Sequence, residues 1–228
     1  MSLLSSFTHL ALISPYALIW LVVLLFIVFA LGIGLFYKLQ VRPFQVFQIG
    51  DSRVEIYCIP LWSLRKIKGD AFITFCNETG YLGEGMAKTI RDKADYRLDD
   101  TIERGAPYPP TTARAFPVRR LPCRYLIITN IYNEKGIVTK NSFRTAFTNA
   151  IKEGEKLNVA TYIVPDPTDD WNYFEHRANP DLAARFIYDS ILTNQKSIRC
   201  IKILTTRKDY SEAYYDQARR MQQEKLAA

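Results

Sequence analysis

Two short stretches of this chain carry residue types suited to holding a small ligand. In the first, Gly83 and Gly85 flank Glu84, and a helix-like segment starts at Met86. Glycine lets backbone come close to a bound group, and a helix N-terminus offers unpaired N–H groups to an anion. Asn77 stands just before, at the end of an apolar run. The glycines would equally make a tight turn, and Asn77 would equally begin one. In the second stretch Asp166, Asp169 and Asp170 lie close together, followed by Trp171 and Tyr173. Such carboxylates suit a cation, or simply face solvent.

Other chemistry has little to work with. His176, in an acidic and aromatic loop, is the single histidine after the N-terminal segment and reads as a surface residue. Clustered zinc ligands, a nucleophile elbow and a phosphate-binding P-loop are all missing. No metal and no cofactor is expected.

The elements that position these loops alternate. Arg53 to Leu61, Ala71 to Cys76, Arg124 to Asn130, Val159 to Val164 and Ile198 to Leu204 read as strands. Helices are expected at Met86 to Lys93, Asp100 to Arg104, Ser142 to Leu157, after the Asn179-Pro180 cap, and at Ser211 to Lys225. In the third of these Phe143, Ala146, Phe147, Ala150 and Ile151 share one face. Strands separated by helices imply an α/β fold, with a mixed, mostly parallel sheet between helical layers. Ligands of such sheets sit beyond the C-terminal ends of the strands. That rule selects the loops from Asn77 to Gly85 and from Pro165 to Asn179.

The N-terminus is of another kind. No Lys, Arg, Asp or Glu occurs in the first 37 residues, and Tyr16 to Phe36 is almost wholly apolar. About 20 such residues cross a bilayer core. The segment lacks the basic start and cleavage site of a signal peptide. The expected division is a short extracytoplasmic stretch at 1–15, a transmembrane helix at 16–37 in contact with the lipid bilayer, a linker at 38–50 ended by no helix because of Pro43, and an α/β domain at 51–228. Lys38, Arg42, Arg53 and Arg65 follow the span, so the domain is expected in the cytoplasm and the N-terminus outside. Cys58, Cys76, Cys123 and Cys200, without paired spacing, read as buried thiols in a reducing compartment. Of 228 residues, 30 are basic and 23 acidic, a net charge of +7. That charge suits an anionic leaflet or a phosphate-bearing ligand. Nucleic acid is not expected, because no base-stacking aromatic motif is present.

The ordered set of short motifs resembles the macro-domain family. Asp70-Ala71-Phe72-Ile73-Thr74-Phe75-Cys76-Asn77 is similar to its D-A-I-V-N-A-A-N signature, with Asn77 at the second asparagine. Gly83-Glu84-Gly85-Met86 falls at the spacing of its glycine-rich loop. Leu121-Pro122 with Tyr125-Leu126-Ile127-Ile128 is similar to its L-P-x-x-Y-V-I-H strand, and Gly105-Ala106-Pro107 to the loop before it. The likeness runs from about Arg53 to Ala218. It implies a macro-domain-like three-layer α/β/α fold that binds ADP-ribose or a related nucleotide. Gly83, Glu84, Gly85 and Met86 would then cradle a diphosphate, Asn77 would offer its amide to a ribose hydroxyl, and Thr168 would stand in the second phosphate loop.

This sequence departs from the family pattern in several places. Leu61-Trp62-Ser63-Leu64 carries no acid where the family has one for adenine. Glu84 replaces the middle glycine, and Ala87 stands where one hydrolase branch has Asp. The second loop, Pro165 to Trp171, contains no glycine. A second expectation is hydrolysis of ADP-ribose from protein or nucleic acid, with Lys88, Arg91 or Lys93 as cation and Asp169 or Asp170 as acid; an Arg would not act as nucleophile because it keeps its proton. A third is a degenerate fold serving as scaffold for a membrane protein partner, its old cleft filled by Trp171 and Tyr173.

Overall fold

The computed structural model describes residues 15–39, 41–82, 85–95, 97–167 and 179–227. The chain forms two compact units, Met1–Arg42 and Pro43–Ala228. In the first, α1 runs over Pro15–Leu39. Its described side chains, Ile19 to Ile33, are exposed all round, with Trp20 at 71% and Phe26 at 73%. Among the described residues no helix is long and apolar enough to cross a membrane.

The second unit is built on a seven-stranded sheet. Its strands are β1 (Gln45–Ile49), β2 (Ser52–Cys58), β3 (Ala71–Cys76), β4 (Ala113–Pro117), β5 (Tyr125–Asn130), β6 (Thr161–Pro165) and β7 (Cys200–Thr205). They lie in the order β1-β2-β7-β6-β3-β5-β4. The inner pairings β2–β7, β7–β6, β6–β3 and β3–β5 are parallel, and the two edges, β1–β2 and β4–β5, are antiparallel. The mixed, mostly parallel sheet expected from the alternation is present. β3 is buried at every position, as a central parallel strand covered on both faces must be.

Helices cover both faces. On one, Val54, Ile56, Ile73, Phe75, Ile127, Ile201 and Ile203 pack with side chains of α4 (Lys140–Lys156), α5 (Pro180–Thr193) and α6 (Lys208–Ala227). Strand alternation sends Phe72, Leu126, Ile163 and Leu204 to the other face. There α2 (Gly85–Ala94), α3 (Leu98–Arg104) and the 3₁₀ turn Leu61–Lys66 bury Met86, Ile90, Leu98, Ile102 and Leu64. Local signals place the helix starts. Thr139 and Ser142 form a reciprocal capping box at α4, and Asn179 accepts from the Leu182 N–H ahead of Pro180 at α5.

Four features differ from the sequence expectation. Residues 45–49, read as linker, form β1, which returns into β2 through Gly50 at φ +59°. The strand expected to reach Leu61 stops at Cys58; Pro60 has no N–H to give to a ladder, and the chain coils at Leu61–Lys66. β4 was not foreseen, because an edge strand of only Ala113–Pro117 with mixed exposure leaves no clear alternation. The four cysteines are free thiols, but only Cys76 is fully buried; Cys58, Cys123 and Cys200 are half-buried because they lie at strand ends or in a loop.

Candidate functional site

The parallel strands set the geometry. Cys76 is in register with Asn130, Pro165 with Leu204, and Cys58 with Thr205. Asn77, Asn130, Asp166 and the Leu61–Lys66 turn therefore share the C-terminal edge of the sheet. This is where open α/β sheets bind ligands.

Asn77 organises the loop after β3. Its Oδ1 accepts from the Thr79 N–H at 3.0 Å, the Thr79 hydroxyl at 2.8 Å and the Tyr81 N–H at 3.0 Å. Backbone bonds close the same turn, Gly80 N to Asn77 O at 3.0 Å and Asn77 N to Tyr81 O at 3.2 Å. The turn-forming role weighed from sequence is thus realised, and it is an Asx turn. It also fixes the amide. With the oxygen saturated, Nδ2 is the polar atom left to meet a ligand, and no described residue accepts from it. Tyr108 and Asn130 hold the loop down. The wholly buried Tyr108 gives its N–H to Glu78 O at 2.7 Å and its hydroxyl to Ile102 O at 2.9 Å. Burial pushes that phenol up to about 12. Asn130 at the end of β5 gives Nδ2 to Tyr108 O at 2.7 Å and accepts from the Tyr132 N–H at 3.0 Å.

Sequence reasoning missed Tyr108 and Asn130. The signal for Asn130 was present: like Asn77, it is a buried-strand polar residue at a C-terminal end. Tyr108 lies in a proline-rich loop whose backbone path no local pattern reveals.

α2 follows. Gly85 opens it with φ +58°, a conformation costly for a side chain bearing Cβ. The helix starts with its first N–H groups outside its own ladder. Met86, a proposed ligand residue, is only 1% exposed; its side chain belongs to the core, so it has just its backbone N–H to offer. Lys88 is exposed on α2, two positions beyond Met86. Gly83, Glu84, Thr168, Asp169 and Asp170 lie outside the described residues, as do Trp171, Tyr173 and His176.

Two motif carboxylates turn out to be structural. Asp70 lies at the opposite edge, where its Oδ2 accepts from the Ala160 and Thr161 N–H groups at 3.1 and 2.9 Å and so starts β6. Asp166 is 2% exposed, and its Oδ1 accepts the Tyr214 hydroxyl at 2.9 Å. The first acid of the second loop is therefore tied to α6. Leu61 to Leu64, the stretch without the family's acid, has Ser63 and Leu64 inside and Leu61 and Trp62 outside.

Cavities flank the Asn77 turn. One of ≈ 310 Å³ lies between the β3 and β5 loops, against Asn77, Glu78, Asn130, Tyr132 and Glu134. Another of ≈ 290 Å³ lies against Thr79, Tyr81, Arg91, Asp99 and Glu103. Among the described residues no cluster of His, Cys, Asp and Glu is arranged to hold a metal ion.

No protein-family profile matches this chain, and no curated protein sequence matches it. Solved structures do. The Oceanobacillus iheyensis macrodomain with MES bound superimposes with a TM-score of 0.66 at 15% identity, over 79% of this chain and 97% of that one. The same macrodomain with ADP gives 0.66, and a variant of it with ADPR also gives 0.66. The Trypanosoma brucei macrodomain in complex with ADP-ribose gives 0.57 at 14% identity, over 77% of this chain and 73% of that one. The second unit of the chain has the macrodomain fold. At this identity the likeness is one of fold, and the site stands on its own residues.

Proposed function

We propose that the Pro43–Ala228 unit binds ADP-ribose or a related nucleotide at the C-terminal edge of its sheet. The observation that carries this reading is the Asn77 turn. Three donors hold the carboxamide oxygen inward, leaving Nδ2 as a pre-set donor to a ribose hydroxyl, and α2 begins with Gly85 eight residues on. Backbone amides at Gly85 and Met86, with those of Gly83 and Glu84, would face the diphosphate, where the positive end of the helix dipole favours negative charge. Thr168 would complete the second phosphate contact. Macrodomains of the same fold are held with ADP and ADP-ribose in the solved structures, which supports the ligand class. Titration calorimetry of residues 43–228 with ADP-ribose tests this. Saturable heat is expected, and neither heat nor thermal shift at millimolar ligand would sink it.

We also propose that residues 16–37 anchor the chain in a bilayer, with the N-terminus outside and the domain in the cytoplasm. The support is the uncharged apolar run and the cations that follow it. Retention in the pellet after alkaline carbonate extraction, with the domain digested by protease added to the cytoplasmic side, is the expected outcome. Release into the supernatant would refute the anchor.

A further inference from the structure

We infer that the corner of the sheet made by the Leu61–Lys66 turn and the start of β1 docks onto an anionic lipid surface. Outside α1, the large hydrophobic side chains that stay exposed among the described residues are Val46, Leu61, Trp62, Tyr81 and Leu182. Leu61 and Trp62 are adjacent in one turn, and Val46, opposite Glu55, lies on the strand pair that this turn leaves. β1 starts beside the end of β2, with Gln45 opposite Ile56 and the Phe44 N–H donating to Ile56 O. The Leu61–Lys66 turn leaves that same end of β2. Phe47 packs edge-on against Tyr188 of α5, so its neighbour Val46, 44% exposed, faces the side on which Leu64 is buried.

The turn sorts its side chains sharply. Ser63 and Leu64 go inside, while Leu61 and Trp62 stay out at 36% and 53% exposure. Cations surround them. Lys66 Nζ lies 5.5 Å from the Trp62 ring centroid, Lys93 donates to the Leu61 carbonyl at 3.1 Å, and Arg65 is exposed. The run from Leu61 to Lys68 holds no acid. An indole beside an aliphatic chain, ringed by Lys and Arg, is the composition that settles at the headgroup level of a bilayer.

A protein groove could also take an exposed Trp and Leu. Connectivity favours lipid: residues 40–44 alone join the apolar α1 to β1 in sequence, and the chain reaches the unit at this corner. That choice rests on the proposed anchor, but its test does not use the anchor. The Pro43–Ala228 unit has its own core and can be made without α1.

The experiment is cosedimentation of residues 43–228 with phosphatidylcholine vesicles, with and without phosphatidylserine. Binding is expected only with phosphatidylserine and should weaken as salt rises. The double variant R65Q/K66Q should bind roughly thirtyfold more weakly, and Trp62→Ala about tenfold. Both sites are exposed, so the thermal transition should not move; if Trp62→Ala fails to fold, the charge variant decides. Failure to pellet with phosphatidylserine vesicles, equal binding to phosphatidylcholine alone, or wild-type binding by both variants would overturn the inference. Loss of ADP-ribose heat would leave it standing.

Discussion

The Tyr214 hydroxyl lies 2.9 Å from Oδ1 of Asp166, so the last helix of the chain reaches across to the first residue of the loop after β6. The bond is buried, and Tyr188 in turn gives its hydroxyl to the Tyr214 carbonyl at 2.7 Å. α5 and α6 thus converge on one end of the proposed ligand edge. Tyr214→Phe removes the donor and keeps the ring. A buried carboxylate that loses a bond costs about 1–3 kcal/mol. The variant should unfold at lower urea by that amount.

Asn77 allows fold and ligand roles to be separated. Asn77→Ala removes all three accepted bonds. It should lower stability by about 1–3 kcal/mol and abolish the proposed binding. Asn77→Asp keeps an acceptor oxygen and loses the donor. Its stability should stay within about 0.5 kcal/mol of the parent. Its ADP-ribose affinity should fall by at least about tenfold, because a donor is replaced by a charge facing an anion. Equal affinity of the parent and Asn77→Asp in calorimetry would remove Asn77 from the site.

The inner layers were legible in the sequence. β3, β5, β6 and β7 announce themselves because apolar runs bounded by turn residues leave no other burial. α4 does so through Phe143, Ala146, Phe147, Ala150 and Ile151, all of which are buried. The edges were hidden. β1 and β4 are short antiparallel edges paired to strands nearby in sequence, and five residues of mixed exposure carry no clear periodicity of their own. At the site, Asn77 was legible as a polar residue ending a buried strand. Its three donors, the Tyr108 clamp and the inward turn of Asp166 depend on segments up to 48 positions apart in the chain, and residue type alone does not reveal them.

Gly80 tests how tightly the Asn77 loop is packed. Its φ is +80°, and a Cβ there would lie 2.8 Å from both Ile102 and the Tyr108 ring. Tyr108 cannot swing away cheaply, because its N–H and hydroxyl are both bonded. Gly80→Ala combines strain at a left-handed residue with overpacking, each about 1–3 kcal/mol. The variant should melt several degrees lower. It should also lose ADP-ribose affinity, since relief of the clash displaces the turn that aims Asn77. Wild-type stability would show that the loop has slack.

Cys76, the residue before Asn77, supplies a pH signature. Burial in the sheet pushes its thiol from 9.0 up to about 12. The unfolded chain loses this proton near pH 9, while the folded chain holds it. The group's contribution is therefore complete below pH 9 and disappears as pH rises towards 12. In that window the unfolded state binds fewer protons, so the slope reaches about −1.4 kcal/mol per pH unit for this one group. The buried tyrosines, with an ordinary value of 10.0, begin to add their own losses in the same interval, so the thiol is read from the difference between the parent and its cysteine variant. Cys123, also raised to about 12 by burial, contributes in the same sense. Urea titrations of residues 43–228 across that interval should show stability falling. Cys76→Ala should fall less steeply, by about half a proton's worth at pH 9 rising towards one at pH 10. Whatever the substitution costs at neutral pH moves the whole curve and leaves the slope as the readout. Parallel slopes for the two proteins would mean that the thiol beside Asn77 is reached by solvent, and that the floor of the ligand edge is more open than the buried strand implies.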